Sequence, residues 1–224
     1  MTHIVLDQPV WHALSETHQA LARNFHGVKC YDPAYCPFGA WVDTQSLPEA
    51  LDVYAQQIDS FFIVGEKPLH SSRLGIQQEL VCLQMVLDQP ITHTVHSPIS
   101  LLSPTFYPQI FDLVQLVQPG YFRPQTPQMG AYYGIFQDEE LVAITGERMK
   151  LNDFTEVSAV VTHPDCTGRG YAKQLITHTT RQIFAEGKIP FLHVAASNIP
   201  AIRLYEKLGF RVRREISFWQ LKQA

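Results

Sequence analysis

The sequence predicts an α/β chain (α+β) in which helices and strands are interspersed and share a layered core. Three observations carry that expectation. Segments rich in β-branched and aromatic residues alternate with segments whose apolar residues recur at helical spacing. A strand passes through a glycine turn directly into a helix across residues 160–172. With 46% hydrophobic and only 17% charged residues, the chain has ample material for a core and no signature of disorder. At 224 residues, one large domain and two small ones are both open.

Charge and cysteine usage narrow the function classes. Seventeen basic against 21 acidic residues give a net charge of -4, with no run of Lys or Arg to track phosphates, so nucleic acid is not an expected partner. Residues 1–14 lack a basic segment followed by an apolar one, and no stretch reaches the ~18 apolar residues of a membrane helix. A soluble, cytoplasmic protein with no membrane partner is expected. Cys30, Cys36, Cys82 and Cys166 read as free thiols, because their spacing fits neither a staple framework nor zinc ligation. His93 and His96 have no adjacent Cys, Asp or Glu to complete a site, so no metal is expected.

The elements follow in order. Residues 14–25 and 47–58 carry helix-like apolar spacing, and 60–64 and 80–87 are rich in β formers; together they suggest an N-terminal α/β region of unknown role, ending near His96. Beyond it, 99–102 reads as a short strand and 106–117 as a helix, followed by a Pro-rich turn. Residues 131–137 and 141–149 flank the acidic turn Asp138-Glu139-Glu140 as a hairpin, and 154–162 is a further strand. Ala172, Leu175, Ile176, Thr179, Ile183 and Phe184 share one face of a helix over 170–186, stopped by Gly187. A short strand over 191–196 leads to a helix with Asn198 as N-cap, Pro200 in its first turn and Gly209 as its end; a last strand covers 210–221.

Strand, glycine turn and helix make a phosphate-binding arrangement. The first backbone N–H groups of a helix lack intrahelical partners and lie at the positive end of its dipole, so even an acidic protein can hold a pyrophosphate there. A nucleotide P-loop is excluded, since no Gly-Lys-Ser/Thr follows at the required spacing. A dinucleotide fingerprint is disfavoured by Lys173, where a small residue should stand, and by the Ala195-Ala196 end of the next strand.

The residues here resemble the GNAT superfamily of N-acetyltransferases, whose coenzyme loop reads Gln/Arg, two residues, Gly, one residue, Gly/Ala. Thr167-Gly168-Arg169-Gly170-Tyr171-Ala172 follows that pattern except at Thr167. The stretch from Asn198 to Phe210, with Ala201, Leu204-Tyr205 and Gly209-Phe210, resembles the family's closing helix. The resemblance covers roughly residues 97–224. It implies a mixed, mostly antiparallel central sheet with a splayed parallel strand pair and flanking helices. It also implies acetyl-CoA as co-substrate and an amine acceptor.

By the same resemblance, pantetheine would pair with backbone around Val160, Val161 and Thr162, and pyrophosphate would sit on Thr167, Gly168, Arg169, Gly170, Tyr171, Ala172 and Lys173. Asn198 would assist at the pantetheine. Tyr205 is expected to protonate the departing thiolate, since a phenol is neutral at pH 7. Glu156 is expected to take the amine proton through a water, with Glu147 as second choice. Cys166 lies toward the pyrophosphate end and is not expected to carry the acetyl group. The competing reading of the same motifs is a non-catalytic acyl-CoA-binding module.

Overall fold

The computed structural model describes residues 3–224. Its helices are α1 (Pro9–Ser15), α2 (Leu47–Tyr54), α3 (Tyr107–Val117), α4 (Tyr171–Ala185) and α5 (Ile199–Lys207). Its strands are β1 (Ala22–Phe25), β2 (Val28–Tyr31), β3 (Phe38–Trp41), β4 (Ser60–Val64), β5 (Leu74–Val86), β6 (Ser100–Leu101), β7 (Tyr132–Gln137), β8 (Glu140–Lys150), β9 (Phe154–Thr162), β10 (Ile189–Ala195) and β11 (Arg211–Gln223). All lie in one mixed sheet, in the order β1-β2-β3-β4-β11-β5-β10-β9-β8-β7-β6. Pairing is antiparallel except at β3/β4 and β9/β10.

Most elements after residue 98 fall where their patterning places them. The β7/β8 hairpin closes through a two-residue turn with Gln137 opposite Glu140, and both turn residues, Asp138 and Glu139, are left-handed (φ 50° and 67°). That backbone twist matches the twist of the strands it joins. Gly187, at φ 76°, ends α4: its N–H donates to the Phe184 carbonyl and the Lys188 N–H to that of Ile183.

The N-terminal part departs from its periodicity. The helix expected over 14–25 is α1, a short 3-10 turn and then β1, while β2 and β3 fall in a stretch that shows no strand pattern in the sequence. Each of these three strands has only four residues, too few for alternation to register. The sheet also runs across the boundary expected near His96. β5, from before it, lies between β10 and β11, and residues 91–97 are laid along α4. Arg181 donates to the carbonyls of Ile91 and His93, and Gln174 accepts from the N–H groups of His96 and Ser97.

Alternation in the hairpin assigns the helices to opposite faces. Tyr132 and Ile144 pack with Ile110, Leu113 and Val114 of α3, whereas Tyr133, Ile135 and Ala143 pack with Leu175 of α4. α5 lies on the α4 face, where Ile202, Tyr205 and Leu208 meet Leu192 and Val194. On the other face, Leu6 of the preceding 3-10 turn, Val10 and Leu14 of α1 and Phe38 of β3 pack against Phe154, Phe191 and Phe218. All four cysteines are buried free thiols, and no helix among the described residues is long and apolar enough to cross a membrane.

His18 ties the first segment to the second. Its Nε2 donates to the Met129 carbonyl (3.1 Å), and Tyr31 Oη donates to its Nδ1 (3.0 Å), so the ring is held neutral. Burial presses its pKa from 6.5 down to about 4. Because the folded value lies below the unfolded one, this contribution is complete above about 6.5 and is lost as pH falls toward 4. Urea unfolding should show stability dropping by roughly 3 kcal/mol across that window. In His18→Gln, whose amide can make both bonds without titrating, the drop should flatten.

Candidate active site

β9 and β10 pair in parallel over three positions, Phe154 with Ile189, Thr155 with Pro190 and Glu156 with Phe191, and then separate. Past that apex, β10 keeps its other neighbour, with Ala195 still opposite Cys82 of β5, so its β9-facing edge is left open. On β9 the register against β8 shifts between Ile144/Val161 and Gly146/Ser158, and Ala159 sits at φ 49°. This bulge turns the strand and explains why side-chain parity along β9 cannot be read from sequence.

The opening is a cleft of about 170 Å³ that passes between the strands. Ser158, Ala159 and Val160 form one wall, Val194 and Ala195 the other. Asn198, Ala201 and Tyr205 of α5 close it on one face; Gln118, Tyr121 and Phe122 close it on the other, above Arg148 and His193. Of the three positions expected to offer backbone to a ligand, Val160 lines the cleft. Val161 and Thr162 lie beyond it, registered against Ile144 and Ala143 of β8.

At the end of β9 the chain turns through a 3-10 segment at Pro164–Cys166 and enters α4. Gly168 and Gly170 are left-handed, at φ 77° and 76°, and a Cβ on either would meet nothing within 4 Å, so open space lies over the turn. α4 starts without a side-chain cap, leaving its first N–H groups without a side-chain acceptor. Arg169 turns its guanidinium back onto Gln137 of β7, where the Cys166 thiol also points (3.7 Å). Lys173 faces a separate open depression of about 620 Å³ with His93, Lys207 and Arg211. Thr167 Oγ1 donates to the Pro164 carbonyl, bracing the turn.

Tyr205 is 8% exposed, and burial pushes its phenol up to about 12 with no hydrogen bond to the protein contributing. It stays protonated at neutral pH. Asn198 Oδ1 accepts from the Ala201 N–H (3.2 Å), so its N-cap role leaves the amide nitrogen free in the cleft.

Glu156 stands at the apex, fully buried. Arg148 donates to it through Nε (2.8 Å) and Nη2 (2.7 Å), His193 through Nδ1 (2.8 Å) and the Met149 N–H at 3.3 Å. Burial alone would raise its pKa, but Arg148 and then His193 outweigh it and hold the carboxyl at about 2. Both oxygens are occupied, and so weak a base has little capacity to take an ammonium proton near neutral pH, which counts against Glu156 as the base. Glu147 is also fully buried, accepts from Lys150 Nζ (2.8 Å) and the Ala131 N–H (3.2 Å), and does not line the cleft.

Three functional candidates escaped the sequence: Arg148, His193 and Gln84. Gln84 Nε2 donates to the Leu6 carbonyl (2.7 Å) and to His193 Nε2 (3.1 Å), while Arg213 Nη1 donates to Gln84 Oε1 (2.9 Å). That orientation leaves His193 neutral, with its proton on Nδ1 toward Glu156. The available signal was a polar residue inside an apolar run, Leu83-Gln84-Met85 and Leu192-His193-Val194. No group of three or more residues able to hold a metal occurs among the described residues.

A parallel strand pair that opens beside a glycine-turned helix start defines a fold of the acyltransferase class. A family model described as FR47-like protein matches residues 132–219. A crystal structure assigned as a GNAT-family acetyltransferase from Novosphingobium aromaticivorans is 34% identical, with a TM-score of 0.89 and coverage of 98% of each chain. A GCN5-related N-acetyltransferase from Kribbella flavida shares the fold at 16% identity, with a TM-score of 0.63 over 95% of each chain. No curated protein matches the chain. The chain belongs to the GNAT family.

Glu156→Gln should leave the Arg148 guanidinium buried without its counter-charge and cost roughly 3–5 kcal/mol in urea unfolding. Because the folded carboxyl lies below its usual 4.5, its contribution is complete above that value and is lost as pH falls toward 2. The variant should lack this acid limb. Unchanged stability would mean that the ion pair holds nothing in place.

Proposed function

We propose that the chain is an acetyl-CoA-dependent N-acetyltransferase that moves the acetyl group directly onto a primary amine in a ternary complex. The observation that carries this reading is the Tyr205 hydroxyl, protonated and without a hydrogen-bond partner among the described residues, in the wall of a cleft between two splayed strands. The turn at Gly168 and Gly170, with open space above it and uncapped N–H groups at the start of α4, suits a pyrophosphate. From there the free edges of β9 and β10 suit an extended arm with amides of its own.

In this reading the amine lone pair attacks the thioester carbon, the C–N bond forms and the C–S bond breaks. The departing sulfur takes the Tyr205 proton, and the phenolate recovers one from the nitrogen that became cationic on attack, which leaves the neutral amide and the free thiol. A backbone N–H of β9 near the bulge polarises the carbonyl oxygen. Glu156 and Glu147 are both held by neighbouring donors, so the acceptor arrives as its neutral amine. Residues before 96 shape the acceptor side: Phe38 and Phe62 pack against Tyr121, with ring centroids 6.4 and 5.1 Å away.

Acetyl-CoA at about 100 times its Kd should stabilise the protein by ~2.7 kcal/mol, a rise in Tm of roughly 5–10 °C. No shift at millimolar coenzyme removes the coenzyme site from this reading. Tyr205→Phe should lower kcat at least tenfold while coenzyme affinity and Tm barely move, since the hydroxyl bonds nothing in the protein. Equal turnover in the variant would take the proton donor elsewhere. In the wild type, kcat/KM should climb with unit slope toward the pKa of the acceptor amine; a plateau set well below that value would instead assign the proton to a base on the protein.

A further inference from the structure

We propose that the acceptor carries a carboxylate close to its amine, as a small amino acid does, and that Arg148 binds that carboxylate. The inference rests on the acetyltransferase reading and names its substrate class. A guanidinium has two donor edges, each matching a planar carboxylate. Glu156 occupies the edge formed by Nε and Nη2. Nη1, on the other edge, has no hydrogen-bond partner among the described residues, although the side chain is only 15% exposed and lines the cleft. That edge is open to solvent, and an arriving carboxylate can take both of its N–H groups in place of water.

The plane of that edge is fixed before anything binds. Glu156 grips one side of the guanidinium, and the Phe38 ring lies 4.7 Å from Cζ. A planar anion therefore finds two N–H groups already aimed, with little side-chain entropy left to lose.

Charge selects the same class. No Asp or Glu lines the cleft, so a polycationic acceptor finds no counter-charge there. His193 Nδ1–H donates to Glu156 and its Nε2 accepts from Gln84, so neither ring nitrogen is left for an acceptor. Arg148 is the one charged side chain on the lining, although the protein as a whole is acidic. With about 170 Å³ to share with the end of the coenzyme, the cleft fits a small molecule.

Position along β9 keeps the carboxylate site apart from the coenzyme turn. From Thr162, next to the glycine turn, down to Glu156 is six residues, or about 20 Å of strand. The anion site at the apex and the pyrophosphate site at the mouth thus lie at opposite ends of β9, with the bulge at Ala159 between them.

The test compares a panel of small amino acids, their carboxamides and their decarboxylated amines as acceptors at saturating acetyl-CoA, each read at a pH set by its own amine pKa. The amino acids should show kcat/KM at least thirtyfold above their uncharged counterparts, and Arg148→Lys, which keeps the charge beside Glu156 but loses the second edge, should bring that ratio close to one. Equal rates across the panel, or faster amines and amides, overturn the proposal. If no acceptor turns over, calorimetry decides: binding of N-acetyl amino acids but not of their amides to the wild type, lost in Arg148→Lys, supports it, and binding of neither or of both overturns it. The coenzyme-induced rise in Tm is scored separately, so failure of the carboxylate site is distinguishable from failure of the acetyltransferase reading.

Discussion

The structure depends on keeping one carboxylate charged where no water reaches it. Glu156 is fully buried, and an unpaired carboxylate there would cost several kcal/mol or take up a proton. Four donors prevent that, and they come from different places in the sheet: Arg148 and the Met149 N–H from β8, His193 from β10, with Glu156 itself on β9. The chain continues through Gln84 of β5 to Leu6 and to Arg213 of β11. A single buried charge and the side chains tied to it thus link five neighbouring strands at the point where two of them part.

Parting is what creates binding capacity. A fully paired parallel couple would spend its backbone groups on itself; here pairing stops after Phe191, while β5 on one side and β8 on the other keep both strands rigid. The open edges remain polar and remain where they are. The same logic governs the turn into α4, where uncapped N–H groups and left-handed glycines leave donors and space together. In the proposed mechanism both halves of the coenzyme path are therefore built from main chain, and Tyr205 and Asn198 would add proton transfer and orientation. A Thr at 167 in place of a longer polar residue is tolerable in such a design, because Thr167 spends its hydroxyl bracing the turn.

This division explains which parts of the molecule were legible. The glycine turn, α4 and α5 are local: spacing, cap and stop lie within a few residues of one another, and the structure places them as the pattern implies. Arg148, His193 and Gln84 meet Glu156 only through the order of strands in the sheet, which no local pattern states. Glu156 and Glu147 illustrate the cost. In sequence they are two carboxylates on strands near a coenzyme loop, candidates for a base, yet partners from outside their own local motifs hold both. The first three strands were missed for a different reason, being short and stabilised by their neighbours more than by their own alternation.

The cleft also divides the work between the two parts of the chain. The proposed coenzyme side is assembled from β9, the turn and α5, all after residue 150, whereas the groups behind the proposed acceptor side include Phe38, Phe62 and Gln84. None of these touches the coenzyme path, but each sets the position of a side chain that lines the cleft: Phe38 that of Arg148, Phe62 that of Tyr121, Gln84 that of His193. Packing in a dense interior transmits such placements with little slack. Under the proposed function, change among the first 96 residues would act on the acceptor side more than on the donor side, and the position of β5 between β10 and β11 couples the two parts physically.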